Sequence, residues 1–257
     1  MIYPDKGYIG FFDMDDPESG ALLLRSRVDA LRASGCRRII APIDGDTWRR
    51  YRLVSWSDGT AAFPLEPQNP LWYNDVYLKA GFQPLAEYSS GAFPLGGVAL
   101  SGLPRGPGPR IRPFDLRDGE NELARIYTLS AQGFTANFLY MDITREDFLA
   151  MYRPLLHLVD PDLAVFAELD GQPAGFLFAF PAGERLILKT ITVPPALRGR
   201  GIGAAMVSHA LRAAQAKGLT QAVAALISDG NRSLDIVAAY GCVPFRRYTL
   251  YCLEAAA

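Results

Sequence analysis

Pro194-Pro195-Ala196-Leu197-Arg198-Gly199-Arg200-Gly201-Ile202-Gly203 is the stretch on which the reading of this chain turns. Before it, Glu184 to Val193 reads as a strand closed by Pro194-Pro195. After it, Ile202, Met206, Val207, Ala210, Leu211 and Ala214 form one apolar face of a helix running from about Gly201 to Lys217, with Gly218 placed to cap it. Glycines between a strand and a helix remove side chains, so that successive backbone N–H groups can close around an anion. The helix N-terminus adds unsatisfied donors and the positive end of its dipole. Arg198 and Arg200 lie beside this nest and are expected to add charge-assisted contacts to phosphate. The segment from Arg198 through Gly199, Arg200, Gly201, Ile202 and Gly203 to Ala204 therefore reads as a pyrophosphate cradle. The competing reading is a turn that merely allows tight strand–helix packing. The context favours the cradle: the string follows an antiparallel meander rather than sitting in a βαβ unit, and it lacks the Lys-Ser/Thr of a nucleotide triphosphatase loop.

The elements around the loop can be read outward from it. Ile111 to Phe114 is a short edge strand, and Asp118 to Ala131 is a helix with Asp118 placed as its cap. Thr144-Arg145-Glu146-Asp147 opens a second helix, which Pro154 should end. Leu163–Leu169 and Ala174–Phe180 are strands flanking the turn signal Asp170-Gly171. Beyond the loop come a buried strand over Gln221–Ile227, a short helix over Asn231–Ala239 and a last strand over Val243–Leu253. The order is β-α-α-β-β-β-α-β-α-β.

With Arg198, Gly201 and Gly203 matching R/Q-x-x-G-x-G/A, and this element order, residues 110 to 253 resemble the GNAT superfamily of acetyl-CoA-dependent N-acetyltransferases. The resemblance implies an α/β (α+β) fold with a mixed, mostly antiparallel twisted sheet flanked by helices. It implies acetyl-CoA or coenzyme A at the loop, and Ile191, Thr192 and Val193 offering backbone groups to the pantetheine and thioester carbonyl. Asn231 resembles the family's pantetheine-binding Asn, with Ser233 at a spacing that some members share. The implied mechanism is direct attack by a primary amine within a ternary complex. Here the chain departs from the family. The position seven residues after Asn231, often Tyr, is Ala238; Tyr240 lies two positions further, about 200° round a helix. Tyr240 is the candidate general acid, against a packing role or a water acting instead. Lys189 and Thr190 stand where a Glu base is common, and Lys189 either steers an acidic acceptor or is a strand-edge residue.

Between Gly91 and Pro109, ten of nineteen residues are Gly or Pro, which predicts a linker that regular structure does not cross. The expected organisation is 1–90, a degenerate GNAT-like half; 91–109, the linker; and 110–257, the acyl-CoA-binding domain. In the first part, strands over Tyr8–Phe12 and Arg38–Pro42, a helix over Ser19–Ser34 and the string Asn69 to Phe82 echo the second part more weakly. Gly81-Phe82-Gln83-Pro84 matches Gly241-Cys242-Val243-Pro244. Asp13, Asp15, Asp16 and Glu18 precede its first helix and would repel a pyrophosphate, so no second cofactor site is expected. An unrelated α/β cap is the other reading. Trp48, Trp56, Trp72 and Tyr73 are expected in the core for the most part, and Asp44 and Asp46 either pair with an amine or are solvated.

Composition bounds the partners. The net charge of −1 disfavours a nucleic-acid partner, and Arg246-Arg247 reads as a solvated strand end. No apolar run reaches the roughly 20 residues that span a bilayer, and no secretory leader is visible. Cys36, Cys242 and Cys252 lack metal-ligand spacing, so no metal is expected and free thiols in a cytoplasmic protein fit best. The function expected is acyl transfer from acyl-CoA to a small-molecule amine, with a monomer preferred and a dimer possible. A non-catalytic acyl-CoA-binding regulatory module is the alternative from another class.

Overall fold

The computed structural model describes residues 5–96, 108–231 and 233–254. Most of the expected linker, residues 97–107, lies outside the described residues. The chain divides into two compact units: Met1–Ser90 with Leu226–Asn231 and Pro244–Ala257, and Gly91–Ala225 with Arg232–Val243.

The first unit opens with β1 (Lys6–Tyr8), α1 (Pro17–Ala33) and β2 (Arg38–Ala41). They are followed by β3 (Leu53–Ser57), the short α2 (Tyr73–Lys79) and the first part of β4 (Gln83–Pro94). Gly20, Leu24 and Val28 recur every fourth residue on α1 and are buried, so the helix presents a single stripe to the core. That core collects Ile9, Phe12, Ile39, Tyr77, Phe82 and Tyr251. Tyr77 stacks on Tyr251 at 5.6 Å between ring centroids, and Tyr251 donates to Asn74 Oδ1 at 2.8 Å. The first strand is set further toward the N-terminus than the expected Tyr8–Phe12, and Phe11 has φ 51 and is exposed. Neither β3 nor β4 is signalled by a clean apolar alternation. The β4 strand also carries Gly91, Ala92, Phe93 and Pro94, so the Gly/Pro-rich run does not break regular structure at its start. Proline is tolerated there because it closes the strand and has no further ladder to donate to.

The second unit carries β5 (Arg110–Pro113), α3 (Gly119–Gly133), α4 (Arg145–Tyr152), β6 (Val165–Leu169), β7 (Gln172–Ala182) and β8 (Arg185–Thr192). Then come α5 (Ile202–Ala216), β9 (Gln221–Ser228), α6 (Ser233–Ala238) and β10 (Val243–Glu254), the last strand returning to the first unit. The expected order of elements is the order found. Strands run β9-β8-β7-β6-β5, with β8–β9 parallel and the other pairs antiparallel. In the first unit, β1-β2-β10-β4 is the order, and β3 pairs with β10 as well. Both β4 and β10 are twelve residues long and each follows a short helix and a left-handed glycine, Gly81 or Gly241. The repeat read from Gly81-Phe82-Gln83-Pro84 and Gly241-Cys242-Val243-Pro244 is thus a repeat of structure.

Some local expectations change. Thr144 caps α4, accepting from the Asp147 amide at 3.1 Å, but Asp118 makes no such bond at α3. Its carboxylate is drawn instead to Asn121 Nδ2 and Arg125 Nη1. Arg246 is buried rather than solvated, bonded to Glu66, Ser57 Oγ and the Thr60 carbonyl. Trp56 is the tryptophan that departs most clearly from a core role, at 44% exposure.

Close packing of β7, β8 and α5 is set by Gly175. A Cβ there would lie 2.9 Å from Met206 Cε, 3.1 Å from Ile202 Cγ2 and 3.1 Å from the Thr192 carbonyl oxygen. Overpacking of this kind typically costs about 1–3 kcal/mol. Gly175→Ala is therefore expected to lower unfolding stability by about that amount. Urea denaturation of the two proteins checks it, and equal midpoints would show that the site relaxes freely.

Candidate acyl-donor site

The loop that follows β8 begins with a 3-10 turn over Pro195–Leu197, where the Leu197 and Arg198 amides bond back to Pro194 and Pro195. Gly199 and Gly201 then take left-handed backbone angles, φ 81 and 74, which a side chain would strain by roughly 1–2 kcal/mol each. Gly201 is the N-cap of α5, and having no side chain it caps nothing. The first intrahelical bond runs from the Ala205 amide to the Gly201 carbonyl at 2.9 Å. Among the described residues, the amides of Gly199, Gly201, Ile202, Gly203 and Ala204 have no hydrogen-bond acceptor, while that of Arg200 closes the turn over Arg198 and Gly199. Five unsatisfied donors at the positive end of a 15-residue helix suit an anion with several oxygens.

The first unit supplies a contrast within the same chain. At α1 the N-cap is Asp16, whose Oδ1 accepts from the Glu18 and Ser19 amides at 2.9 Å each. These bonds hold the Asp16 carboxyl below its ordinary range, the Ser19 amide contributing most. A resident carboxylate thus already occupies the anion position that α5 leaves open.

Side chains around the loop play roles that the sequence did not show. Arg198 is not turned to a phosphate: its Nε donates to the Val193 carbonyl at 3.1 Å and its Nη2 to the Gly133 carbonyl at 2.6 Å. It ties the C-terminal end of α3 to the end of β8, because both leave carbonyls without ladder or helix partners there. Ile202 is 2% exposed and packed beside Gly175, so its side chain belongs to the core and only its backbone is left to the loop. Thr192 is also interior, and its Oγ1 is enclosed without a hydrogen-bond partner. A Cβ on Gly133 would fall 2.0 Å from that hydroxyl, which accounts for a glycine at the end of α3. Gly133 and Gly175 carry no motif of their own, and only the fold brings both against Thr192.

The β8–β9 ladder runs from Arg185↔Gln221 to Leu188↔Ala224 and stops there. On its other edge β8 stays paired with β7 as far as Thr192. The segment Lys189 to Val193, which contains Ile191 and Thr192, therefore lies beyond the parallel pairing. Asn231 belongs to the first unit, its amide bonded to the Ser228 carbonyl at 3.0 Å, whereas Ser233 opens α6 in the second. Tyr240 packs its ring on Phe93, 5.3 Å between centroids at 15°, and its amide closes the helix on Val237. That contact is the one for which the structure accounts. Asp44 is buried and accepts from the Phe11 amide and Arg50 Nε, and Asp46 binds the Trp48 and Arg49 amides. Asp46 serves its own loop, and Asp44 joins that loop to the backbone at Phe11. Burial pushes the Cys242 and Cys252 thiols up to about 11, so neither presents a thiolate near neutral pH. Among the described residues, no group of three His, Cys, Asp or Glu side chains is placed to hold a metal ion, and no helix is long and apolar enough to cross a membrane.

Comparison with known proteins agrees with this geometry. Residues 123–238 match the model of the acetyltransferase (GNAT) family. That part of the chain is a GNAT-family domain. A GCN5-related N-acetyltransferase from Sphaerobacter thermophilus superposes with a TM-score of 0.58 at 15% identity, over 93% of this chain and 69% of that one. A tandem GNAT protein from the clavulanic acid biosynthesis pathway gives 0.54 at 14% identity, over 95% and 72%. At these identities the likeness is one of fold, and it extends across both units. A bacterial ceramide synthase from Caulobacter vibrioides is 24% identical over 191 residues, 69% of this chain. The chain spans about half the length of that relative.

Gly201 and Gly203 differ in a way that can be measured. Gly203 has ordinary backbone angles, and a Cβ on it would meet Ile191 Cδ1 at 3.4 Å and Ile236 Cδ1 at 3.6 Å, normal contacts. Gly203→Ala should leave thermal stability within about 0.5 kcal/mol of wild type, while Gly201→Ala should cost about 1 kcal/mol or more. Thermal melts of the two variants decide this, and equal losses would refute the assignment of strain to Gly201.

Proposed function

We propose that this protein is an acyl-CoA-dependent N-acyltransferase that acylates a primary amine of a small molecule, with acetyl-CoA as the first donor to consider. The observation that carries the reading is the cluster of partnerless amides, those of Gly199 and of Gly201 to Ala204, at the start of α5 among the described residues. Several open donors at a helix N-terminus suit the oxygens of a pyrophosphate, whereas at α1 the Asp16 carboxylate already takes the Glu18 and Ser19 amides. Bound acyl-CoA supplies an acyl group already activated as a thioester.

The chain's own contributions follow from the geometry. The amides of Gly199 and of Gly201 to Ala204 hold the pyrophosphate, with the exposed Arg200 beside them. Arg198 acts indirectly, by fixing the Val193 and Gly133 carbonyls so that the loop leaves β8 in one direction. Ile191, Thr192 and Val193 lie past the end of the β8–β9 ladder, where backbone groups on that edge are available to a pantetheine arm and to a carbonyl oxygen that gains charge. Asn231 and Ser233 are assigned to the same arm by resemblance. Tyr240 is assigned to packing on Phe93, and no side chain is assigned the proton transfers.

The first unit is read as a degenerate GNAT-like half without its own donor site, an interpretation supported by Asp16 and by the likeness to a tandem GNAT protein across 95% of the chain. The reading takes the protein as a cytoplasmic monomer without a nucleic-acid partner, in keeping with its net charge of −1.

Calorimetric titration of acetyl-CoA into wild type and Gly201→Glu tests the donor site. Binding in the micromolar range is expected for wild type, and a loss of at least about 100-fold, ~2.7 kcal/mol, for the variant, which places a carboxylate in the nest. No binding to folded wild type would refute the proposal. Thiol release with a panel of amines then separates an enzyme from a module that only binds acyl-CoA. A long-chain acyl-CoA belongs in the same panel, because one relative is named a ceramide synthase.

A further inference from the structure

Leu226 interrupts β9 with left-handed backbone angles, φ 58. A leucine in a strand holds such angles only where its surroundings enforce them. Within the first unit those surroundings are in view. The Leu226 amide donates to Ser90 Oγ at 2.9 Å, and its side chain packs on the cluster of Val54, Tyr88 and Tyr248. Ser90 is itself 0% exposed, and its hydroxyl meets that of Tyr248 at 2.8 Å. Because the Tyr248 hydroxyl donates to Glu66 Oε1, Ser90 is the donor between the two hydroxyls. The serine oxygen is then left to accept from Leu226. The bonds from Leu226 through Ser90 and Tyr248 to Glu66 thus run in one consistent direction, and a buried network fixes a strained residue.

That residue stands just past the point where β9 stops pairing with β8. Within the second unit the parallel ladder ends at Leu188↔Ala224, two residues before Leu226. A left-handed residue swings the neighbouring N–H and C=O groups out of the ladder direction, as the first residue of a β-bulge can, and pairing ends there. Beyond Leu226 the chain is fastened within the first unit, the Asp229 amide donating to the Glu87 carbonyl at 3.1 Å. The facing strand is irregular at the same level. Its register against β7 steps from Ala179↔Leu188 to Phe178↔Thr190, which makes Lys189 an extra residue of β8. There the irregularity is local, for β8 stays paired with β7 as far as Phe176↔Thr192, whereas the ladder with β9 does not resume.

We propose that Ser90 is a positioning residue for acyl transfer: its hydroxyl fixes the left-handed Leu226, Leu226 keeps β9 from extending its ladder, and the edge of β8 over Thr190–Thr192 stays open to the pantetheine arm. Ser90 touches neither donor nor acceptor. Its effect is confined to the arm, because the pyrophosphate nest belongs to α5 and the loop before it. This role rests on the acyl-CoA reading given above.

The test compares two ligands on the whole protein by calorimetry. One is acetyl-CoA; the other is the phosphoadenosine diphosphate portion of coenzyme A, which carries the pyrophosphate but no pantetheine. Ser90→Ala should bind acetyl-CoA about tenfold more weakly than wild type, and the truncated ligand within about twofold of it. Adding Leu226→Gly to Ser90→Ala should restore acetyl-CoA affinity to within about threefold of wild type, since glycine takes left-handed angles at no steric cost. If Ser90→Ala does not fold, Leu226→Val takes its place, because a β-branched side chain resists those angles, and the same split between the ligands is expected. Equal acetyl-CoA affinity in wild type and a folded variant would overturn the proposal and leave the extra residue of β8 sufficient to end the ladder. Equal losses for both ligands, or no recovery on adding Leu226→Gly, would overturn it as well. A folded wild type that does not bind acetyl-CoA refutes the acyl-CoA reading itself, and the role of Ser90 falls with it.

Discussion

The second unit depends on one close approach, that of the end of α3 to the end of β8. Gly133 sits against the Thr192 hydroxyl with no room for a Cβ, and Arg198 reaches across to hold the Gly133 and Val193 carbonyls together. From that bracket the chain departs into the glycine loop. Ile202, buried beside Gly175, anchors the first turn of α5 in the core. The loop's amides are consequently held out by packing on both sides of them. This is preorganisation in the plain sense: donors aimed before a ligand arrives cost nothing to aim when it does.

Helices α1 and α5 show how little chemistry separates a closed helix N-terminus from an open one. Both α1 and α5 present a positive N-terminus, and both follow a strand and a loop. At α1 the cap is Asp16, which spends the first amides on its own carboxylate; at α5 the cap is glycine. The element order and the repeated Gly-x-x-Pro strand starts mark a common plan, while this single difference in capping leaves the first amides of α5 open and closes those of α1.

Buried charge in the first unit is handled in two opposite ways. Around Arg246, every group has a partner: Glu66 receives the guanidinium, the Tyr248 hydroxyl and the Phe63 amide, and Tyr248 in turn meets Ser90 at 2.8 Å. Such a closed network specifies the position of β10 against the loop over residues 58–66. Arg52 lies against the same Tyr248 ring and takes part in none of these bonds.

The element order from residue 110 onward, the strand-loop-helix junction and the glycines of the loop were legible in the sequence, because they rest on local rules: apolar period, capping, and the need for a backbone without side chains near an anion. The acids at the start of α1, Asp13, Asp15 and Asp16 before it and Glu18 in its first turn, were legible in the same way. Tertiary structure alone decided the rest. The side chain of Arg198 looks like a phosphate ligand in any local reading, and turned out to bind two carbonyls that only packing brings within reach. Arg246 read as a solvated strand end until Glu66, 180 residues away, was placed beside it. Strands β3 and β4 lacked a clean alternation because long-range pairing and mixed faces, not period, hold them. Gly133, Gly175 and Ser90 carry no signal at all in sequence, since each owes its role to atoms contributed by distant elements.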